Sequence, residues 1–224
     1  MKIFWKQYIK LINKYKQYGT IVTINRIIKA VIRPVFWVDK NIVMAIKYHK
    51  PYQEQNKYIL KITKNIIDEY SSNGKLSKNE ANNINNYILE GCKGFIALYD
   101  REIAGYAFVQ THGIYTFGYS GSLKIPEKVA ILRNLFVFEK FRGKSIGKIL
   151  NIERINSIPE GYTPVGFVIP ENRYAIRNLK YCGFEELMIV KITTIFYKWS
   201  RLKIINKKYD ILTDNLIKGL STKY

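Results

Sequence analysis

Cysteine is scarce in this sequence: 224 residues hold only Cys92 and Cys182, far apart and outside any C-x-x-C spacing. That excludes a disulfide framework and gives no support to a structural zinc site, so each thiol reads as a small buried hydrophobe. Acidic residues are also few, 17 against 37 Lys+Arg, which leaves a formal net charge of +20. Long apolar runs are missing. The longest uncharged stretch, Ile103 to Leu123, is broken by Gly105, Gln110, His112, Gly113, Gly118, Ser120 and Gly121, whereas a membrane-spanning helix needs about twenty consecutive apolar residues. The N-terminus is basic from Lys2 onward and lacks both the apolar core and the small-residue cleavage site of a signal peptide. Neither G-x-x-x-x-G-K-[ST] nor G-x-G-x-x-G occurs, so the common ATP and dinucleotide loops are excluded.

Enough apolar sequence remains for a core: 47% of residues are hydrophobic and 14% aromatic, well outside disordered compositions. The length fits one domain with appendages. Positive charge is concentrated at the ends, with +10 over residues 1–50, +4 over residues 51–190 and +6 over residues 191–224. At about 100° per residue, Phe4, Trp5, Tyr8, Leu11, Ile12, Tyr15 and Tyr18 gather on one arc and Lys2, Lys6, Lys10, Lys14 and Lys16 on the other. A second apolar run, Ile21, Ile24, Ile28 and Val31, leads to Pro34. Residues 1–33 therefore read as a basic amphipathic helical extension. Such a segment suits an anionic membrane surface, packing on its own domain with a solvated lysine face, or, as the less favoured partner, nucleic acid. The cytoplasm is the expected compartment, with this extension as the part that would meet the inner membrane face.

Along the rest of the chain, Val35–Val38 is strand-like and Tyr52 to Tyr70 has helical apolar spacing. Ser77 followed by Glu80 forms a capping-box pattern that opens a helix ending at Gly91. Gly94–Tyr99, the turn Asp100-Arg101-Glu102 and Ile103–Gln110 predict a β-hairpin, and Tyr115–Tyr119 a further strand. Ile131–Phe138 is a continuous apolar run of the kind a central strand shows. Helix over Ile146–Ile155, strand over Thr163–Ile169, helix over Asn172–Tyr181 and a long strand or bent pair over Leu187–Trp199 follow. The segment after Arg201 reads as a basic, moderately helical tail. The elements define a mixed α/β (α+β) layer structure, with an extension at 1–33, a domain at 34–200 and a tail at 201–224.

The segment that carries chemistry runs from Leu135 to Lys148: a strand, a basic glycine-containing turn and a helix start. Free N–H groups at a helix N-terminus, with the positive end of its dipole, bind phosphate oxygens. Gly143 and Gly147 let the backbone approach a bulky anion, and Arg142, Lys144 and Lys148 add charge around it. A plain strand-to-helix turn with exposed lysines is the alternative on this segment alone.

Arg142-Gly143-Lys144-Ser145-Ile146-Gly147 resembles the [QR]-x-x-G-x-[GA] turn of the GNAT superfamily of N-acetyltransferases, following a strand that ends at Val137. Downstream, Asn172, Ala175, Gly183 and Phe184 fall on the N-x-x-A-x-x-x-Y-x-x-x-G-F pattern of the same family, with Leu179 at the tyrosine position. The resemblance covers roughly residues 77–199. It implies a GNAT-type mixed, splayed β-sheet flanked by helices that binds acetyl-CoA or another acyl-CoA, with no metal. By that resemblance Arg142, Gly143, Lys144, Ser145, Ile146, Gly147 and Lys148 would hold the pyrophosphate. The strand at Leu135 and Val137 would pair with the pantetheine amides, and Asn172 and Ala175 would line the opposite bank.

Two departures stand out. Ser145 replaces the first motif glycine, which puts a Cβ and a hydroxyl beside the pyrophosphate. Leu179 replaces a tyrosine thought to protonate the departing thiolate, and Tyr181 lies about 200° further around the helix. Transfer to an amine also needs a base; His112 and Glu139 are the candidates, with Tyr115 and Tyr119 as substrate-pocket residues. The expected reaction is acyl transfer to a small primary amine, for which an amino sugar or cell-surface polymer precursor would suit a membrane-facing extension. The alternative is a non-catalytic CoA-fold binding protein acting at a membrane or on nucleic acid.

Overall fold

The computed structural model describes residues 35–46, 58–196 and 198–222; the amphipathic extension expected at 1–33 lies outside them. In chain order the elements are β1 (Phe36–Ala45), β2 (Ile59–Lys61), α1 (Lys64–Ser72), α2 (Lys78–Leu89), β3 (Lys93–Tyr99), β4 (Glu102–Gln110), β5 (Ile114–Phe117) and β6 (Gly121–Lys124). After them come β7 (Val129–Val137), a short 3-10 turn (Glu139–Phe141), α3 (Ile146–Asn156), β8 (Thr163–Val168), α4 (Arg173–Tyr181), β9 (Glu185–Ile195), β10 (Trp199–Ile205), α5 (Ile211–Gly219) and β11 (Leu220–Thr222). One sheet has the order β10-β9-β1-β8-β7-β4-β3-β2, and a small second sheet the order β11-β6-β5.

Strand β4 is buried at every residue after Glu102, as a near-continuous apolar strand must be when both sheet faces are covered. Its alternation sends Ala107 and Val109 to one face, where Met44, Leu132, Leu150, Leu179 and Phe184 form a core beneath α3 and α4. Tyr106 and Phe108 go to the other face, under α1 and α2 with Ile67 and Ile84. Further along that second face, Val43, Tyr115, Leu123, Val190 and Leu216 make a third cluster under the small sheet and α5. Both cysteines are free and buried, as their apolar character implies.

The capping box opening α2 is formed: Glu80 N donates to Ser77 Oγ and the Glu80 carboxylate accepts from Ser77 N. The hairpin β3–β4 turns through Asp100 and Arg101 at φ 51° and 63°, the left-handed pair that a two-residue turn matched to strand twist requires. The helical spacing read from Tyr52 to Tyr70 resolves differently in its described part. Ile59–Lys61 pairs with β3, and the helix begins only at Lys64, where Thr63 accepts from Ile66 N. Beyond Arg201 the chain continues β10 along β9, forms the helix α5 and pairs β11 with β6, so the tail read as moderately helical also carries strands. Leu202, Ile204 and Leu216 carry that stretch onto the third cluster.

Candidate active site

Strands β7 and β8 are parallel, and their pairing runs from Val129↔Thr163 to Leu132↔Gly166, where it stops. Past that point β8 pairs with β1 at Phe167 and Val168, while β7 pairs with β4 as far as Val137. The two strands therefore part, and among the described residues the second half of β7 has no strand partner on the β8 side. A bulge lies at the parting. Tyr106 faces Phe136 and Phe108 faces Arg133, so Asn134 and Leu135 together oppose Ala107, with Asn134 at φ 38°. A bulge flips the side-chain alternation: Ala130 and Leu132, then Leu135 and Val137, all face α3.

The basic turn sits at the open end of this splay. Gly143 and Ser145 are left-handed at φ 81° and 59°, and Ser145, the N-cap of α3, makes no side-chain capping bond. Helices α1, α2, α4 and α5 each have a side-chain cap, from Thr63, Ser77, Asn172 and Asp210. Among the described residues, then, no side chain caps the N–H end of α3; its first turn holds no acidic residue, and cations ring it. Arg142 Nε donates to Val137 O at 3.4 Å. Lys144 Nζ sits 4.0 Å from the centre of the Tyr99 ring, and Lys148 Nζ sits 3.8 Å from that of Tyr181 and donates to its hydroxyl.

Gly147 joins the pieces. A Cβ at that position would meet Asn178 Nδ2 at 3.3 Å, Leu135 Cδ2 at 3.5 Å and Val137 Cγ2 at 3.7 Å, so the missing side chain leaves room between α3, α4 and the unpaired half of β7. Gly147, Asn151 and Arg154, spaced i, i+4 and i+7, form one stripe of α3. Among the described residues Asn178 Oδ1, Asn151 Oδ1 and Arg154 Nε are all buried without a hydrogen-bond partner, a concentration of unsatisfied polar atoms on α3 and the facing α4. Arg154 is 5% exposed and reaches the start of the splay, where its Nη1 donates to Arg133 O at 3.3 Å. Burial pulls its guanidinium down to about 9, which leaves it charged at neutral pH.

On the opposite face, at the same point of β7, Arg133 is fully engaged. It pairs with Glu90, donates to Gln110 Oε1 at 2.8 Å and lies 4.8 Å and 5.7 Å from the ring centres of Tyr87 and Tyr115. Tyr115 packs on Phe167, and burial pushes its phenol up to about 12.

Leu135, Val137, Arg142, Gly143, Lys144, Ser145, Ile146, Gly147 and Lys148 thus converge on one site. Asn172 caps α4 by accepting from Ala175 N at 3.1 Å, and Ala175 packs on the α3–α4 core. Leu179, at the position of the family's tyrosine, is 3% exposed and packs against Gly166, whose Cβ would meet it at 3.0 Å. His112 and Glu139 are not brought to the splay. His112 lies beyond the Gln110↔Ile131 pair, and Leu135 is four residues further along β7, roughly 13 Å at strand rise. It lines a cleft of about 680 Å³ with Ile114, Lys124, Ile125, Pro126 and Tyr162, at the start of β7. Glu139 is exposed in the 3-10 turn. Tyr119 donates its backbone N–H to Asp39 at 2.5 Å, away from the groove. Sequence reasoning missed Glu90, Arg133, Asn151, Arg154 and Asn178. The signal for Asn151 and Arg154 was their helical spacing from Gly147; Glu90 and Arg133 meet only through tertiary packing.

No family model and no curated protein matches this sequence. Among solved structures the chain is similar to an acetyltransferase of the GNAT family from Novosphingobium aromaticivorans, with TM-score 0.52 and 14% identity over 78% of this chain and 67% of that one. It also resembles a GNAT-family acetyltransferase from Colwellia psychrerythraea, with TM-score 0.45 and 13% identity over 77% of this chain and 57% of that one. A third similar structure is the aminoglycoside N-acetyltransferase AAC(6')-Iy in complex with CoA, with TM-score 0.41 and 22% identity over 57% of this chain and 91% of that one. The fold, a mixed sheet splayed between two parallel strands and flanked by helices, is the GNAT fold. No helix among the described residues is long and apolar enough to cross a membrane.

Proposed function

We propose that this chain is an acyl-CoA-dependent N-acyltransferase, acetyl-CoA being the expected donor, acting on a small primary amine in a ternary complex. The observation that carries the reading is the uncapped, cation-ringed N-terminus of α3 opening directly into a groove with unpaired buried amides. These residues fit CoA. The N–H groups of the first turn of α3, with Arg142, Lys144 and Lys148, are donors for a pyrophosphate. Gly147 leaves the backbone close to the groove, and Asn178 and Asn151 offer oxygens to pantetheine amide protons. The free side of β7 at Leu135 and Val137 offers backbone groups of the kind an added strand pairs with.

Bound there, an acyl-CoA supplies an activated thioester carbonyl. The chain's task is then to hold that carbonyl against the bulge of β7, where a backbone N–H can stabilise the developing oxyanion. As the amine nitrogen forms its bond to the carbonyl carbon and the C–S bond breaks, one proton leaves the amine and the thiolate departs. Glu90, held by Arg133 on the far face of the splay, is the carboxylate available to take that proton through water. Leu179 cannot return one, so solvent protonates the thiolate. His112, whose ring lies beside Gly91 and so next to Glu90, and the exposed Glu139 are the further candidates for the base. An amino sugar or cell-surface polymer precursor is the acceptor that would suit a membrane-facing role of residues 1–33, and that role rests on charge placement alone.

A turnover assay tests the reading: thiol release from acetyl-CoA in the presence of a panel of small amines. Amine-dependent release is expected, with Glu90→Gln lowering kcat by about 10²-fold. CoA binding without turnover for any amine would favour the non-catalytic reading, to which the buried Leu179 lends weight.

A further inference from the structure

The two arginines at the splay differ in one respect that matters. Arg133 is buried and compensated by a carboxylate, an amide oxygen and two aromatic rings. Arg154 is at least as buried and has one protein hydrogen bond, to Arg133 O, an Nε without a partner, and no carboxylate pairing among the described residues. The other titratable groups that face it are Cys182, from α4, and Tyr115, from β5. Both are buried neutral acids, and neither supplies a counter-charge. A buried cation left unpaired costs stability, and a retained one of this kind marks a place where an anion is brought in.

The fork of a guanidinium matches a planar carboxylate, whereas phosphate already has its own site at the other end of the same α3 stripe. Building on the acyl-CoA reading, we infer that the floor of the splay is a carboxylate subsite. Arg154 there fixes the acid group of the substrate that enters the groove. Two sources present that chemistry at this depth: the distal carboxylate of a dicarboxylic acyl group, or the carboxylate of an amino-acid acceptor.

The experiment has two arms on the full chain. In the first, calorimetry compares succinyl-CoA with acetyl-CoA, with CoA itself as reference. In the second, acetyl transfer compares a panel of α-amino acids with the corresponding carboxamides. A preference of at least about tenfold is expected in one arm, and the arm identifies the source. Arg154→Gln should bring that ratio near one and Arg154→Lys should restore part of it, which a purely structural arginine would not do. If Arg154→Gln does not fold, the wild-type ratios and Arg154→Lys decide. CoA binding with both ratios near one, or a ratio indifferent to Arg154, overturns the carboxylate subsite and leaves the acyl-CoA reading standing. Failure of CoA itself to bind overturns both.

Discussion

Tyr115 is a single side chain whose surroundings make a measurable statement. It is 9% exposed, packed between Phe117 and Phe167, and burial raises its phenol from 10.0 to about 12 against the opposing pull of Arg133. The folded protein therefore keeps a proton that the unfolded chain gives up near pH 10. Its contribution to stability is complete below pH 10 and is lost as pH rises through 12. A two-unit difference corresponds to roughly 2–3 kcal/mol. Urea denaturation of the wild type and Tyr115→Phe at pH 9 and pH 11.5 should show a smaller alkaline loss in the variant. Equal losses would mean that this phenol is exposed to water. Leu179 teaches a complementary lesson at the same scale. It packs on Gly166 where β7 and β8 part, and an alkyl side chain there has no proton to give to a departing thiolate, which under the proposed reaction takes one from solvent.

At the level of elements, the contrast between α3 and α4 divides the labour of the site. Helix α4 is closed by its own cap, Asn172 Oδ1 accepting from Ala175 N, and Asn172→Ala should cost about 1 kcal/mol in a denaturation experiment. No loss would mean that the cap is satisfied by other groups. Helix α3 has no such cap, and its start is shaped by Gly143 and the left-handed Ser145. Much of this was legible in the sequence. The capping box at Ser77 and Glu80, the hairpin around Asp100, the apolar run of β7 and the basic turn are local patterns, and local patterns survive folding. The splay itself was expected only through the family resemblance; the point where it opens, after Leu132 and Gly166, is where the β7–β8 pairing stops. Beyond it β8 stays on β1, its partner on the other edge, more than a hundred positions away in sequence. For the same reason Glu90 and Arg133 do not show as a pair in the sequence, and a histidine's chemistry is apparent there while its place in the fold, here beside Gly91, is not. The strand β2 and the strands beyond Arg201 do not show in the sequence because they are short or charged segments held by tertiary pairing rather than by their own periodicity.

Across the whole molecule, the sheet carries two different environments on its two faces at one position of β7. One face holds the uncapped helix end, its cations and a groove of unpaired amides; the other holds an aromatic and arginine cluster balanced by Glu90. A thioester entering from the first face and an amine from the second would meet where the strands part, which is what direct transfer requires. The excess of positive charge, +20 over the chain, favours a polyanionic donor and predicts that its affinity falls with salt. Whether CoA binds beside Gly147 is decided by calorimetric titration of CoA into the wild type and Gly147→Trp. Micromolar binding is expected, abolished by the indole while the far-UV circular dichroism of the two proteins stays the same. Binding that persists in a folded Gly147→Trp, or its absence in the wild type, would contradict the proposal.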